Sequence, residues 1–218
     1  MRGMMYVKTT DNERTKLVAD FVRRHLETTA PREGAYRYRW EHTLRVANYG
    51  RQIGLAEGAN PELAIVGCLL HDVGKFGTDV NRDHGRLSAR ISRPVLREIG
   101  FSPEETEIVC HAVAVHVDGV ADFDHPETVE SKVVTDADNI DRSGVLRIAQ
   151  LCAPAIHDYP LLLETVTKRL ATLEEYRQRG DVLETKTGNM LFMRQLDRQI
   201  SFFTDLLEEG ELTRLPSL

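Results

Sequence analysis

Pro61-Glu62-Leu63-Ala64-Ile65-Val66-Gly67-Cys68-Leu69-Leu70-His71-Asp72-Val73-Gly74-Lys75 reads as one helix and its abrupt end. Pro61 suits a first helical turn, where its missing N–H would have had no partner anyway. Ala64, Val66, Leu69 and Leu70 leave almost no polar face, and a helix that is apolar all round belongs in the centre of a fold. His71 and Asp72 follow directly on the most apolar residues of the chain. Neighbours on a helix point about 100° apart, so these two side chains converge only on something near the helix end. A buried carboxylate beside a buried imidazole is costly unless it is paired or bound to a cation. Imidazole nitrogen and carboxylate oxygen suit Zn, Fe, Mn, Co or Ni. A plain His–Asp hydrogen bond at a helix end is the alternative.

The remaining periodicity is also helical. Leu17, Val18, Phe21, Val22 and Leu26 recur at helical spacing, with Asp11 placed to cap them. From Trp40 to about Ala56 the apolar face is Trp40, Leu44, Val46, Ala47, Tyr49 and Ile53, and Gly58 ends it. Pro94 is expected to kink or split the Leu87–Ile99 segment. Ser102-Pro103-Glu104-Glu105 is a capping box ahead of a helix through Ile108, Val109, Ala112 and Val115. Val133 and Val134 are assigned to a helix, because no partner strands stand out and a sheet needs several. Leu161, Leu162, Val166, Leu170, Leu173 and Tyr176 stripe one long helix near the end. Met190, Met193, Leu196, Ile200, Phe203 and Leu207 stripe another. The loop from Arg179 to Gly188 is the one seam in view. The expectation is a single all-α domain over residues 1–218, with a motif core of about 36–145 and a helical extension of about 146–218. The last helix is expected to dock on the rest of the chain or on a second copy, as a homodimer.

Composition narrows the function classes. The 218 residues are 41% hydrophobic and carry a net charge of −6. That balance argues against broad electrostatic binding of nucleic acid, which needs a basic face. It leaves room for a small pocket that takes an anion by local charge. No stretch approaches the ~18 uninterrupted apolar residues of a membrane span. Met1 to Thr10 already carry charge and lack the apolar block of a secretory signal, so a cytoplasmic location is expected. Cys68, Cys110 and Cys152 are odd in number and far apart, and read as buried thiols rather than disulfides or zinc ligands.

The eight histidines are more informative. His42 lies inside the second helix, twenty-nine residues before His71. An Asp136-Ala137-Asp138 segment follows well after. Together these resemble the HD superfamily of metal-dependent phosphohydrolases, whose signature is a lone His, then His-Asp on a helix, then a distant Asp. Trp40-Glu41-His42-Thr43-Leu44-Arg45-Val46-Ala47 is similar to the first motif, Cys68 to Lys75 to the second, and Asp136-Ala137-Asp138-Asn139-Ile140-Asp141 to the third. Glu184-Thr185-Lys186-Thr187-Gly188 and the helix after it are similar to the closing segment of small bacterial members.

The resemblance implies an all-α HD-domain bundle with its metal site between central helices. His42, His71, Asp72 and Asp138 would be the metal ligands, Asp138 being preferred over Asp136 by the way the motif runs. One or two divalent ions (Mn, Fe, Co, Ni, Zn or Mg) would be bound. His84, in Asp83-His84-Gly85, and His116 resemble the extra histidines of dinuclear members. They are candidates for a second metal, bridged by Asp72, or for contact with substrate phosphate. His111 lies five residues before His116, about 140° round the helix, and reads as a packed residue. His25, His125 and His157 read as surface or core residues. Asp72 would orient the attacking water and Lys75 would meet phosphate as a point charge. Arg37, Arg39 and Arg45 flank His42 and could supply further phosphate contacts, with a surface salt bridge the preferred expectation for each. The implied substrate is a small phosphate ester or anhydride, with a nucleotide preferred. Two other classes are kept in view: a dinuclear-iron oxygenase, and a non-catalytic nucleotide-sensing module.

Overall fold

The computed structural model describes residues 11–213. Met1–Thr10 and the expected Asp11 side-chain cap lie outside the described residues. Among those described there are nine α-helices and no strand: α1 (Asp11–Thr29), α2 (Glu33–Glu57), α3 (Pro61–Leu70), α4 (His84–Ile99), α5 (Pro103–Val115), α6 (Val129–Arg142), α7 (Leu146–Cys152), α8 (Tyr159–Arg179) and α9 (Lys186–Glu211). Val133 and Val134 lie in α6, as the absence of partner strands predicts. None of these helices is long and apolar enough to cross a membrane.

The chain falls into two compact units, Met1–Asp138 and Asn139–Leu218. Their boundary lies within α6, not at the Arg179–Gly188 loop that composition singled out. A break in a helix leaves no mark in local composition, because both sides keep the same propensity.

In the first unit α3 is central and packs on α1, α2 and α5. Val66, Cys68, Leu69 and Leu70 are all buried, as an all-round apolar helix requires. Asn60 caps it: its side chain accepts from the amides of Glu62 (3.0 Å) and Leu63 (3.3 Å). Gly58 ends α2 in the left-handed region at φ 76°, the conformation that glycine adopts without a Cβ clash. The capping box at Ser102 forms in full, with Glu105 Oε2 accepting from the Ser102 amide at 2.7 Å. Arg14 of α1 reaches Glu62 of α3 and Glu105 of α5, and lies 4.1 Å from the centre of the Phe101 ring.

Pro94 neither splits nor ends its helix. α4 runs unbroken from His84 to Ile99. The lost backbone bond is outweighed by a buried face of Ser88, Ala89, Ser92 and Leu96 packed on α5, with Ser92 Oγ donating to Ser88 O at 2.7 Å. Leu17, Leu44, Leu161 and Met190, read as stripe members, are exposed. Each lies at the margin of its stripe, where helical spacing alone cannot say how far the neighbouring surface extends. In the second unit α8 packs on α9, with Tyr176 edge-on to Phe192 at 6.0 Å.

The close approach of α4 to α5 depends on Gly85. A Cβ there would lie 2.6 Å from Ala114 O and 3.1 Å from Val113 O. Those atoms are helix backbone and cannot swing aside. Gly85→Ala should therefore cost about 1–3 kcal/mol of stability through overpacking. Urea denaturation of the two proteins measures it, and an unchanged midpoint would mean that α4 can retreat freely.

Candidate metal centre

Five helices and their ends bring the predicted residues together. His42 comes from α2, His71 and Asp72 from the turn that ends α3, His84 from the first residue of α4, His116 from the C-cap of α5, and Asp138 from α6. None of the six is more than 8% exposed. The imidazoles form a chain of edge-to-face contacts, each with ring centroids 5.1 Å apart: His42 to His71, His71 to His116, and His116 to His84.

Local backbone sets the tautomers. His71 Nδ1 lies 2.7 Å from Cys68 O, His116 Nδ1 lies 2.7 Å from Val113 O, and His84 Nδ1 contacts Asn81 O. A carbonyl oxygen only accepts, so each of these Nδ1 atoms carries the proton. All three use the carbonyl three residues back. Each ring then turns its Nε2 to the centre.

Asp72 sits between two sets of imidazoles. Its Oδ2 lies 3.5 Å from His42 Nε2 and 3.3 Å from His71 Nε2. Its Oδ1 lies 3.0 Å from His84 Nε2, yet Oδ1 is buried with no hydrogen-bond partner. An unprotonated Nε2 there would set two lone pairs facing each other. Such a contact is repulsive unless a cation lies between them. The spacing also fits one, since two ligands at about 2.1 Å from an ion and at right angles stand about 3.0 Å apart. His42, His71 and Asp72 offer ligand atoms all within 4.8 Å of one another, and so do Asp72, His84 and His116. Asp138 Oδ1 adds a contact of 3.2 Å to His42 Nε2 and 3.9 Å to His71 Nε2.

The electrostatics follow from this crowding. Burial opposes the charge on Asp72, and the imidazoles of His71, His42 and His84 outweigh it, holding the carboxyl well below its ordinary range. Asp138 is held low in the same way: burial opposes, and His42 and His71 prevail. His116 is pushed down to about 4 by burial and by His71, so it is neutral at pH 7 and free to act as a ligand.

Some sequence readings need correction. Arg39 is not a surface arginine. Its side chain is 15% exposed and its Nη1 pairs with Asp72 Oδ2, one helical turn before His42 on α2. Its i, i+3 spacing from His42 was the available signal. Arg37 does form an exposed pair, with Glu33. Lys75 Nζ contacts Asn81 Oδ1 at 2.6 Å and stands 3.4 Å from His84 Nδ1. Asn81 thus serves both Lys75 and His84, a role that no sequence motif marks. His111 does not reach the centre; it packs against His125 at 5.0 Å between centroids. Cys68 and Cys110 are buried thiols, whereas Cys152 is only half-buried. Burial and Asp138 push the Cys68 thiol up, which keeps it protonated beside the site.

The chain is similar to known proteins in sequence and in fold. Ribonuclease Y of Alkaliphilus metalliredigens is 32% identical over 146 residues, 66% of this chain and 26% of that protein. Ribonuclease Y of Sulfurovum sp. is 30% identical over 137 residues, 62% of this chain and 22% of that protein. The chain therefore spans about a quarter of the length of the curated relatives it matches. Among solved structures, an HD-superfamily hydrolase of Bacillus thuringiensis aligns with a TM-score of 0.65 at 20% identity, over 94% of this chain and 100% of that one. YpgQ of Bacillus subtilis, solved in complex with ADP, aligns with a TM-score of 0.63 at 20% identity, over 92% and 97%. At these identities the likeness is one of fold. Residues 39–143 match the profile of the HD domain. That profile runs from Arg39 past Asp138, enclosing every side chain gathered around Asp72, and so residues 39–143 of this chain belong to the HD-domain family.

Proposed function

We propose that this chain hydrolyses a phosphate ester or anhydride of a small nucleotide at a centre of two divalent cations that share Asp72. The observation that carries the reading is the division of the Asp72 carboxylate, with Oδ2 toward His42 and His71 and the orphaned Oδ1 toward His84. His42, His71, Asp72 and Asp138 would hold one ion, and Asp72, His84 and His116 the other. A divalent cation bound there supplies Lewis acidity, lowering the pKa of a water and polarising a phosphoryl oxygen.

The protein's own groups do the rest. His116, neutral at pH 7, accepts a cation without first losing a proton. Arg39 fixes the orientation of Asp72 through its Oδ2. Lys75, held by Asn81, presents a point charge to a phosphate beside His84. A small nucleotide is preferred over RNA because the net charge of −6 gives no broad basic face. The ADP held by the similarly folded YpgQ also supports it. The assembled second triad is also what the dinuclear-iron oxygenase reading requires, so iron belongs in every metal panel.

Asp72→Asn should lower metal-dependent phosphate release from nucleotides by more than about a hundredfold with helicity retained. Groups one step further from a metal already cost 10–100-fold. Full activity in that variant overturns the centre, and an iron-dependent colour with dioxygen uptake but no phosphate release points to the oxygenase. By elemental analysis, His42→Ala and His84→Ala should each lower the metal content from two ions per chain toward one. Unchanged content in either removes that histidine from the ligand set. Lys75→Ala should raise KM about tenfold, near 1.4 kcal/mol of binding, with a smaller change in kcat; an unchanged KM denies it the phosphate.

A further inference from the structure

The turn that follows α3 is fastened to α4 by a side chain outside the proposed ligand set. Ser88 is fully buried on α4, four residues after His84 and so on the same face of the helix. Its Oγ accepts from the N–H of the buried Gly74 at 2.8 Å. The amides on either side, those of Val73 and Lys75, go to the carbonyls of Leu70 and Asp72 within the turn itself. The Gly74 amide crosses to α4 instead. The approach is close: a Cβ on Gly74 would lie 2.7 Å from Ser88 N and 2.9 Å from His84 O.

Two contacts therefore link the same two segments side by side. Asp72 Oδ1 stands 3.0 Å from His84 Nε2, and two residues further on Gly74 is held by Ser88. The Ser88 bond fixes how far the first turn of α4 stands from the carboxylate that both proposed ions share. The first ion depends on it less. Asp72 continues directly from α3 and its Oδ2 pairs with Arg39, while His42, His71 and Asp138 come from α2, the end of α3 and α6. Without the Ser88 hydroxyl the buried Gly74 N–H loses its acceptor, and the turn or α4 must shift to let water reach it.

We infer that Ser88 is a positioning residue, which holds His84 at ligand distance from Asp72 and so sets the affinity of the second cation. The inference rests on the two-ion reading of the centre. Groups that orient metal ligands from behind change metal affinity by about 10–100-fold when they are removed. Ser92 supplies the comparison. It is also fully buried on α4, and its Oγ donates to Ser88 O at 2.7 Å within its own helix. Ser92→Ala removes the same kind of hydroxyl without touching the bond between the two segments.

The test is a cobalt(II) titration of the full chain after removal of metal, followed by visible absorption and by elemental analysis after dialysis. It is run on the wild type, His84→Ala, Ser88→Ala, Ser88→Cys and Ser92→Ala. The wild type should take up two ions, and the one that His84→Ala loses is the second. Ser88→Ala should weaken binding of the second ion about tenfold or more and leave the first unchanged. Ser92→Ala should hold both as the wild type does. If Ser88→Ala fails to fold, Ser88→Cys carries the decision with a loss in the same direction, because sulfur is a weak acceptor. Two ions held as tightly in Ser88→Ala as in the wild type overturn the inference alone. So does an equal weakening of both ions, or the same loss in Ser92→Ala, since either marks a general loosening of the helix. A single ion in the wild type overturns the two-ion reading, and the inference with it.

Discussion

The first unit is arranged around the burial of one carboxylate. Asp72 follows the most apolar helix of the chain and is almost wholly enclosed. An unpaired charge in such a place costs several kcal/mol even after relaxation. The fold meets that cost by bringing a guanidinium and three imidazoles to it from separate helices. α3 supplies the buried platform, α2 supplies Arg39 and His42, and the starts and ends of α4 and α5 supply His84 and His116. Removing charge from Asp72 would leave those groups with nothing to face.

The other constraint is distance between helices. His84 and His116 reach one centre because Gly85 lets α4 lie against the backbone of α5. The same contact involves Val113 O, the atom that fixes the His116 ring. Helix packing and histidine tautomer are thus set by a shared piece of backbone. The repeated use of the carbonyl three residues back at His71, His84 and His116 has a simple cause. His71 and His116 lie at helix C-termini and His84 directly follows a short 3-10 turn over Asn81–Asp83, places where a carbonyl is left without its helical partner.

Several misreadings have the same origin. Arg39 looked like a surface arginine because charged residues on an amphipathic helix usually are; only the position of α3 against α2 turns it inward. Pro94 looked like a break, and the packing of α4 on α5 holds the helix through it. The boundary of the two units falls inside α6, where every residue is an ordinary helix former. In each case local propensity was read correctly and a contact distant in sequence decided the outcome. The contacts of Gln199 are a further instance. The buried Gln199 of α9 ties Arg169 of α8 to the turn after α6, three segments with no common spacing.

Sequence by itself determined that the chain is helical and that α3 is central, and the resemblance to a known motif set His42, His71, Asp72 and Asp138 side by side. Those features are local: apolar periodicity, a capping box, and a motif whose residue types suit one chemistry. Only the tertiary structure decided that Asp72 divides its two oxygens between separate imidazole sets, and that Arg39 and Asn81 serve the centre. Chain distance carries no information about which lone pairs face each other. That depends on how closely helices approach, and the approach is set by side chains and glycines on elements far apart in the sequence.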